Sequence, residues 1–537
     1  MPVRFAKVVA LFALLTVVMT WPQAARLATD AWPHEDVFFN MWRIGWVAHA
    51  LPRSPTHVLD GNIFYPELRT LTLSDAVAVE SLLAAPMLWM GVPIVLVHNI
   101  VLLAGIILSA AGVWLLVATL TGSATAATTA GIVFAFVPYR FDHYMHLELQ
   151  WTVWIPWTFW AMHKVFETGA IRHAVLLGVF IALQFMSSVY YGLFLVTLLP
   201  VGALLLLCGT RPGEVMRGLR ALALAAGTAA LLTAPYLFPY ATTRHDVGPR
   251  PEEQIAMFSA RPSSYRATTE SNYLYGERTV QFGRGERRLF PGVLPLLLAV
   301  VGLLLYPASK EAIVYLVTLA IAFDMSFGLK GYTFSFLYQH VPAFDGLRAP
   351  ARVAIFAIFC LSVLAAYGQA ALEKATGKRL RRGLIAAIPA VLLLEYWVAP
   401  LPLIAYPSAP SPLYAWLAKQ PAGVVAEFPM PQRNRLPSNE ARFAFMSTFH
   451  WMPLINGYSG YYPASYINRL ERLSTMPDAA ALENLVGAGV RYVIVHAGLY
   501  PHGGANEVIA ALSDHSRFRE LGRFNDGIGE AVVFSAR

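Results

Sequence analysis

The sequence predicts an α-helical polytopic membrane fold that ends in a small extracytoplasmic α/β domain. Of its 537 residues, 57% are hydrophobic and only 13% charged, and mean hydropathy is +0.52, which is more apolar side chain than a soluble core of this length would bury. Apolar runs close to the roughly 20 residues needed to cross a bilayer recur along most of the chain, separated by short charged or Pro/Gly-containing breaks. After about Pro400 those runs shorten, and strand-like and helix-like patterns alternate.

The apolar runs add up to about eleven spans. They centre on Val9 to Trp21, Ile94 to Leu120, Ala124 to Val137, Leu149 to Met162, Ala174 to Val189, Leu193 to Leu207, Leu219 to Phe238, Leu294 to Leu305, Ile313 to Phe327, Val353 to Ala366 and Leu384 to Val398. Tyr190, Tyr191 and Gly192 read as a tight turn between two of them. Arg4 and Lys7 before the first run, with Ala24-Ala25 after it, also fit a cleaved leader. The loop beyond Trp21-Pro22 is too organised for a processing scar, so the first run is read as a span.

Lys and Arg set the orientation. Arg4/Lys7, Lys164/Arg172, Arg211/Arg217/Arg220, Lys310 and the Lys374-Lys378-Arg379-Arg381-Arg382 cluster fall on alternate loops, which are therefore cytoplasmic. An odd number of spans then puts loop 26–92, loop 241–290, loop 329–350 and everything after about Pro400 outside. The predicted organisation is a transmembrane domain over 1–400, with its first outer loop at 26–92, and an extracytoplasmic α/β domain over 401–537. The net charge of +8 and pI of 9.3 are mostly topology signals, with some attraction to anionic membrane lipids. They do not argue for nucleic acid, and no phosphate-cradling Gly loop or zinc-spaced Cys/His set is present. The only cysteines, Cys208 and Cys360, lie inside apolar spans and offer no disulfide framework.

The segment 34–51 places Phe38, Trp42, Trp46 and His49 at helical spacings of four, four and three, an aromatic stripe expected to lie at the outer headgroup layer. Glu35 and Asp36 stand at its start, where a carboxylate either caps free amides or serves as a catalytic acid or base. Ala76 to Trp89, preceded by Ser74-Asp75, reads as a second surface or re-entrant helix. It carries Glu80, which is either a functional acid or simply water-facing.

This arrangement of a short cytoplasmic start, a first span, an outer loop with an acid before two surface helices, many spans and an extracytoplasmic C-terminal domain resembles the GT-C class of membrane glycosyltransferases. The resemblance covers the whole chain. It implies an enzyme, a hexosyl- or pentosyltransferase, that takes sugar from a polyprenyl-phosphate-linked donor and passes it to a glycan, lipid or protein acceptor, with an acid of the first outer loop as base. Carried over, Asp36 is the implied base and Glu35 its reserve, because the family's acidic doublet appears here as Glu-Asp.

Other polar groups crowd the outer face. The run PYRFDHYMHLELQW brings together Arg140, Asp142, His143, His146 and Glu148. Arg140 is either a phosphate ligand or an interfacial snorkelling residue, and His143 and His146 either donate hydrogen bonds or, with a carboxylate, hold a divalent metal ion. Loop 241–290 is rich in arginine with few acids, which favours an anionic ligand. In VPAFDGLRAPAR, Arg348 and Arg352 flank the next span and are candidate donor-phosphate ligands, with snorkelling as the alternative. In the C-terminal domain, Val424 to Phe428, Tyr492 to Val495 and Ala531 to Phe534 read as strands, with helices over Ala479 to Val486 and Ala505 to Ser513. The stretch STFHWMPLINGYSGYYPASY gathers His450, Trp451, Asn456, Tyr458 and Tyr461, side chains suited either to glycan binding or to interdomain packing.

An inverting glycosyl transfer absorbs these features. A transporter or flippase for lipid-linked glycans is the alternative, together with a non-catalytic scaffold. Transport favours ionisable groups near the bilayer midplane and internal repeats, whereas most charges here sit at span ends, with Asp324 and Glu395 as the exceptions.

Overall fold

The computed structural model describes residues 2–305 and 309–536, without the side chains of Pro2, Arg4 and His502. Arg4, one of the orientation signals, thus has its side chain outside the described residues. The chain gathers into two compact units, one of Met1–Arg26, Ile100–Phe238 and Gly248–Leu403, the other of Leu27–Asn99, Pro239–Val247 and Ile404–Arg537.

The first unit is helical. Each predicted apolar run falls largely within helical structure, and among the described residues four segments are long and apolar enough to cross a membrane: Ile94–Thr121, Val189–Leu207, Pro212–Val247 and Pro350–Ala375. At the centre lies helix Ala354–Ala375, almost entirely buried and packed by Val293–Leu305, Lys310–Ser326 and Ala124–Phe136. Glycine permits the closest of these crossings. A Cβ on Gly368 would fall 1.8 Å from Leu298 O, and one on Gly302 would fall 2.7 Å from Leu364 O, so the two backbones touch where lipid-embedded helices favour small residues.

Two boundaries differ from the sequence reading. The break between the fifth and sixth runs lies at Ser188, whose extended backbone (φ −152°, ψ 117°) and hydroxyl cap the next helix; Tyr190, Tyr191 and Gly192 are already helical. Helix Pro212–Val247 runs 36 residues, continuing past the predicted end at Phe238 and through Pro235 and Pro239, and stops only before Gly248 at φ +77°.

Asp324 and Glu395 each terminate a neighbouring element. Asp324 accepts from the amides of Tyr332 and Thr333 at 3.0 and 2.7 Å, at the start of helix Tyr332–His340. Glu395 accepts from Val293 N and Leu294 N and from the Tyr275 hydroxyl at 3.3 Å, which caps helix Val293–Leu305. Both acids satisfy helix amides, so neither supplies the midplane charge pair that transport favours.

The second unit is built on a four-stranded sheet of β1 (Val424–Phe428), β2 (Val490–His496), β3 (Phe518–Asn525) and β4 (Glu530–Ala536), in the order β1-β2-β4-β3. β1 and β2 are parallel and the other pairs antiparallel. Val424, Phe428, Val493, Val495, Val532 and Phe534 meet Leu482, Leu485 and Leu512 from helices Ala479–Gly487 and Gly504–Asp514 in one core. The predicted strands and helices are all present, with β3 in addition.

Residues 27–99, which include nearly all of the predicted first outer loop, belong to this unit. Residues 453–457 lie between β1 and the loop: Val425 N donates to Pro453 O at 2.8 Å, while Phe64 N and Tyr65 N donate to Asn456 O and Leu454 O, both at 2.8 Å. Asp30–Ala31 also pairs with Ile404–Ala405. Helix Glu35–Ala50, expected at the headgroup layer, packs its aromatic stripe against protein. Trp42 is fully buried and donates from Nε1 to Asn62 at 2.9 Å, and Phe38 meets Tyr406 and Phe445. The aromatic stripe is therefore a packing face toward the C-terminal segment.

Candidate functional site

Helix Glu35–Ala50 begins at His34, which adopts extended backbone and accepts from Asp36 N through Nδ1 at 3.1 Å. One oxygen of the Asp36 carboxylate, Oδ1, accepts a 2.6 Å hydrogen bond from the Tyr458 hydroxyl, and the other lies 3.3 Å from His34 Nδ1. The side-chain interaction with the Asp36 carboxylate raises the His34 imidazole above its ordinary value against the opposing effect of burial. Two candidates 422 residues apart in the chain, Asp36 and Tyr458, are thus in direct contact.

Glu35 is placed differently. Its Oε2 is buried with no hydrogen-bond partner among the described residues, and burial raises its carboxyl above the usual range. The Glu-Asp doublet therefore consists of one carboxylate held by a donor and one disfavoured as an ion. Glu80 is fully buried in the first turn of helix Ala78–Trp89.

The aromatic stretch divides into two groups. Trp451, at φ +57°, stacks on His49 with ring centres 4.2 Å apart, while Tyr458 and Tyr461 are half-buried beside the first loop, with Tyr461 N donating to Leu73 O at 3.0 Å. Asn456 is fully buried. Its amide oxygen accepts from Glu427 N and its amide nitrogen donates to Glu427 O and Glu440 Oε1, so its capacity is used inside the sheet. His450 packs parallel to Tyr414, accepts from Met452 N at 3.0 Å, and is pushed down to about 3 by burial.

On the first unit, Glu286 organises the basic candidates. Arg352 grips it through Nε and Nη2, with both Nε contacts at 3.0 Å, and His143 Nε2 lies 3.5 Å from it. This pairing holds the Glu286 carboxyl well below the usual range despite burial. His143 also faces His146, Nδ1 to Nδ1 at 3.3 Å, and burial lowers its imidazole to about 3. Arg140 is buried, with its donors directed to Phe134 O at 2.6 Å, Thr152 Oγ1 at 2.6 Å and Gln150. Arg348 is half-buried and sits 5.6 Å from the Phe258 ring, and its guanidinium has no carboxylate partner among the described residues. Among the described residues, no group of three or more His, Cys, Asp or Glu side chains is placed to hold a metal ion.

One buried network escapes sequence reading. His496, at the end of β2, contacts Glu427 Oε2 of β1 at 2.7 Å and Asp526 of the β3–β4 turn, and Tyr414 donates to the same Glu427 oxygen at 2.7 Å. The two acids raise His496 to about 9 against burial. Nearby Glu440 accepts from Gly457 N at 2.6 Å and Tyr466 OH at 2.8 Å, and is raised to about 7 by burial. One signal was visible: Glu427 is a lone acid within the apolar run Val424–Phe428.

No known family model matches the chain, and no curated protein matches it in sequence. Solved structures do match. The arabinofuranosyltransferase AftD from Mycobacteria superposes on all of this chain, at a TM-score of 0.67 and 13% identity over 40% of its own length. A mutant form of AftD superposes on 98% of it at a TM-score of 0.61 and 13% identity, over 41% of its own length. ArnT from Cupriavidus metallidurans bound to undecaprenyl phosphate matches 99% of this chain and 97% of its own at 10% identity, with a TM-score of 0.49. The chain therefore has the fold of part of AftD and spans about two fifths of AftD's length.

Proposed function

We propose that this chain is a membrane glycosyltransferase that moves a sugar, with inversion, from a polyprenyl-phosphate-linked donor to an extracytoplasmic acceptor. The observation that carries the reading is the AftD-like fold over the entire chain. AftD is an arabinofuranosyltransferase, so a pentosyl donor is the first to try. In this reading the second unit is extracytoplasmic and the N-terminus cytoplasmic, in keeping with the alternation of Lys and Arg along the loops.

Asp36 is the base. It accepts the proton of the acceptor hydroxyl as that oxygen attacks the anomeric carbon, while the lipid phosphate departs with the electron pair of the broken C–O bond. What supports Asp36 over Glu35 is the 2.6 Å donor contact from Tyr458, which stabilises the ionised form, against the partnerless buried oxygen of Glu35. For the donor phosphate we assign Arg348, the one of the three candidate arginines whose guanidinium is committed neither to a carboxylate nor to the chain's own carbonyls. Trp451, Tyr458 and Tyr461 are our acceptor-side candidates, and Asn456 and His450 serve packing.

The test is release of lipid phosphate from polyprenyl-phosphate sugars by the detergent-purified chain with candidate acceptors. Asp36→Asn is expected to lower turnover about 10²–10⁴-fold with an unchanged melting curve, while Glu35→Gln keeps most of it. Tight donor binding without turnover in any variant would sink the reading in favour of transport or scaffolding.

A further inference from the structure

Arg261, Arg284 and Arg287, from the stretch 248–290 of the first unit, line one surface cleft of about 250 Å³ together with Ser263, Ser264, Gln281 and Phe282. None of these residues enters the proposed reaction. Backbone contacts bring the two stretches of loop together. Arg261 N donates to Ser264 Oγ at 2.9 Å, Leu289 N to Ser264 O at 3.0 Å and Phe290 N to Ala267 O at 3.0 Å. Gly283 makes the approach feasible, since a Cβ there would lie 2.1 Å from Arg287 O and 2.9 Å from Ala267 Cβ. The cleft is thus set by the fold of the loop, and the three arginines line it.

Its electrostatics are one-sided. Nearby Arg288 and Arg352 are paired with Asp142 and Glu286, but no carboxylate among the described residues pairs with Arg261, Arg284 or Arg287. Burial and the charges of Arg261 and Arg284 hold the Arg287 guanidinium below its ordinary value. Like charges held together without a counter-charge repel, and an anion between them relieves that repulsion.

We propose that this cleft binds a phosphate ester, with Arg261, Arg284 and Arg287 as its ligating side chains and Ser263 and Gln281 as its polar wall. The guanidinium fork matches phosphate oxygens two at a time, a geometry lysine cannot reproduce. The phosphate is presented either by a lipid headgroup or free in solution. The site stands independently of glycosyl transfer, because it rests on the loop's geometry and charge alone.

The full chain in detergent is titrated with short-chain phosphatidic acid, with inorganic phosphate and with short-chain diacylglycerol, which lacks phosphate, and binding is read by calorimetry. The expected result is saturable binding of phosphatidic acid and none of diacylglycerol. Arg287→Gln and Arg284→Gln should each weaken it roughly tenfold, while Arg278→Gln, an equal charge loss at an exposed position on the same loop, changes it less than about twofold. Comparable binding of inorganic phosphate points to the free anion as ligand, and its absence points to the headgroup. Arg284 is exposed, so its variant keeps the test valid if Arg287→Gln melts early. Equal weakening in all three variants, or no saturable binding of either phosphate compound, overturns the proposal.

Discussion

Asp36 and Glu35 are adjacent, yet their surroundings give them different chemistry. Tyr458 donates to Asp36, whereas Glu35 points an oxygen into protein without a donor. A hydrogen bond to a charged group contributes about 1.5–3 kcal/mol, so Tyr458→Phe should lower kcat roughly tenfold or more while leaving donor KM near its starting value. Turnover assays with a melting curve on the same sample check this. An unchanged kcat would mean that the contact only packs the loop. Arg352 carries the opposite lesson. An arginine at the end of an apolar run invites a phosphate, but Glu286 already neutralises it.

At the scale of elements, His496 ties together β1 through Glu427 and the β3–β4 turn through Asp526. Its folded value of about 9 lies above the ordinary 6.5, so its contribution to stability is complete below about pH 6.5 and is lost as pH rises through about 9. Glu440, raised to about 7 from 4.5, loses its contribution earlier, as pH rises from about 4.5 to 7. The melting temperature of the full chain should therefore fall between pH 7 and 9.5, and His496→Gln should flatten that fall while leaving the one below pH 7. The variant also strands two buried carboxylates, at a cost of about 3–5 kcal/mol at neutral pH. Melting curves across the range decide it, and an undiminished alkaline fall in His496→Gln would assign it to another group.

At the scale of the whole molecule, the second unit is assembled from three separate stretches of chain. Loop residues Asn62 to Tyr65 take their hydrogen bonds from and give them to residues 452–456, so neither stretch closes its backbone alone. A chain ending at Leu403 should leave residues 52–76 open to limited proteolysis at a rate roughly tenfold or more above that of the full chain. Mass mapping of the fragments measures it. Equal rates would show that the first loop folds without the C-terminal segment.

Composition and period by themselves determined the membrane character, the helices under the apolar runs, the strands at Val424–Phe428, Tyr492–Val495 and Ala531–Phe534, and the start of the first-loop helix at Glu35. These follow from local patterns that burial imposes wherever they occur. β3 was missed because its residues Phe518–Asn525 are half polar, as suits an edge strand with one face in water. The aromatic stripe of 38–49 shows a different limit, since a period of 3.6 marks a buried face without saying whether lipid or protein covers it. Only the tertiary structure decided that protein covers it. It also decided that Tyr458 meets Asp36, that Arg140 and Arg352 are satisfied within the chain, and that three arginines of loop 241–290 face one cleft. Each of these is a contact between residues remote in sequence or a choice among rotamers, and no local pattern encodes which of many compatible charges becomes the neighbour.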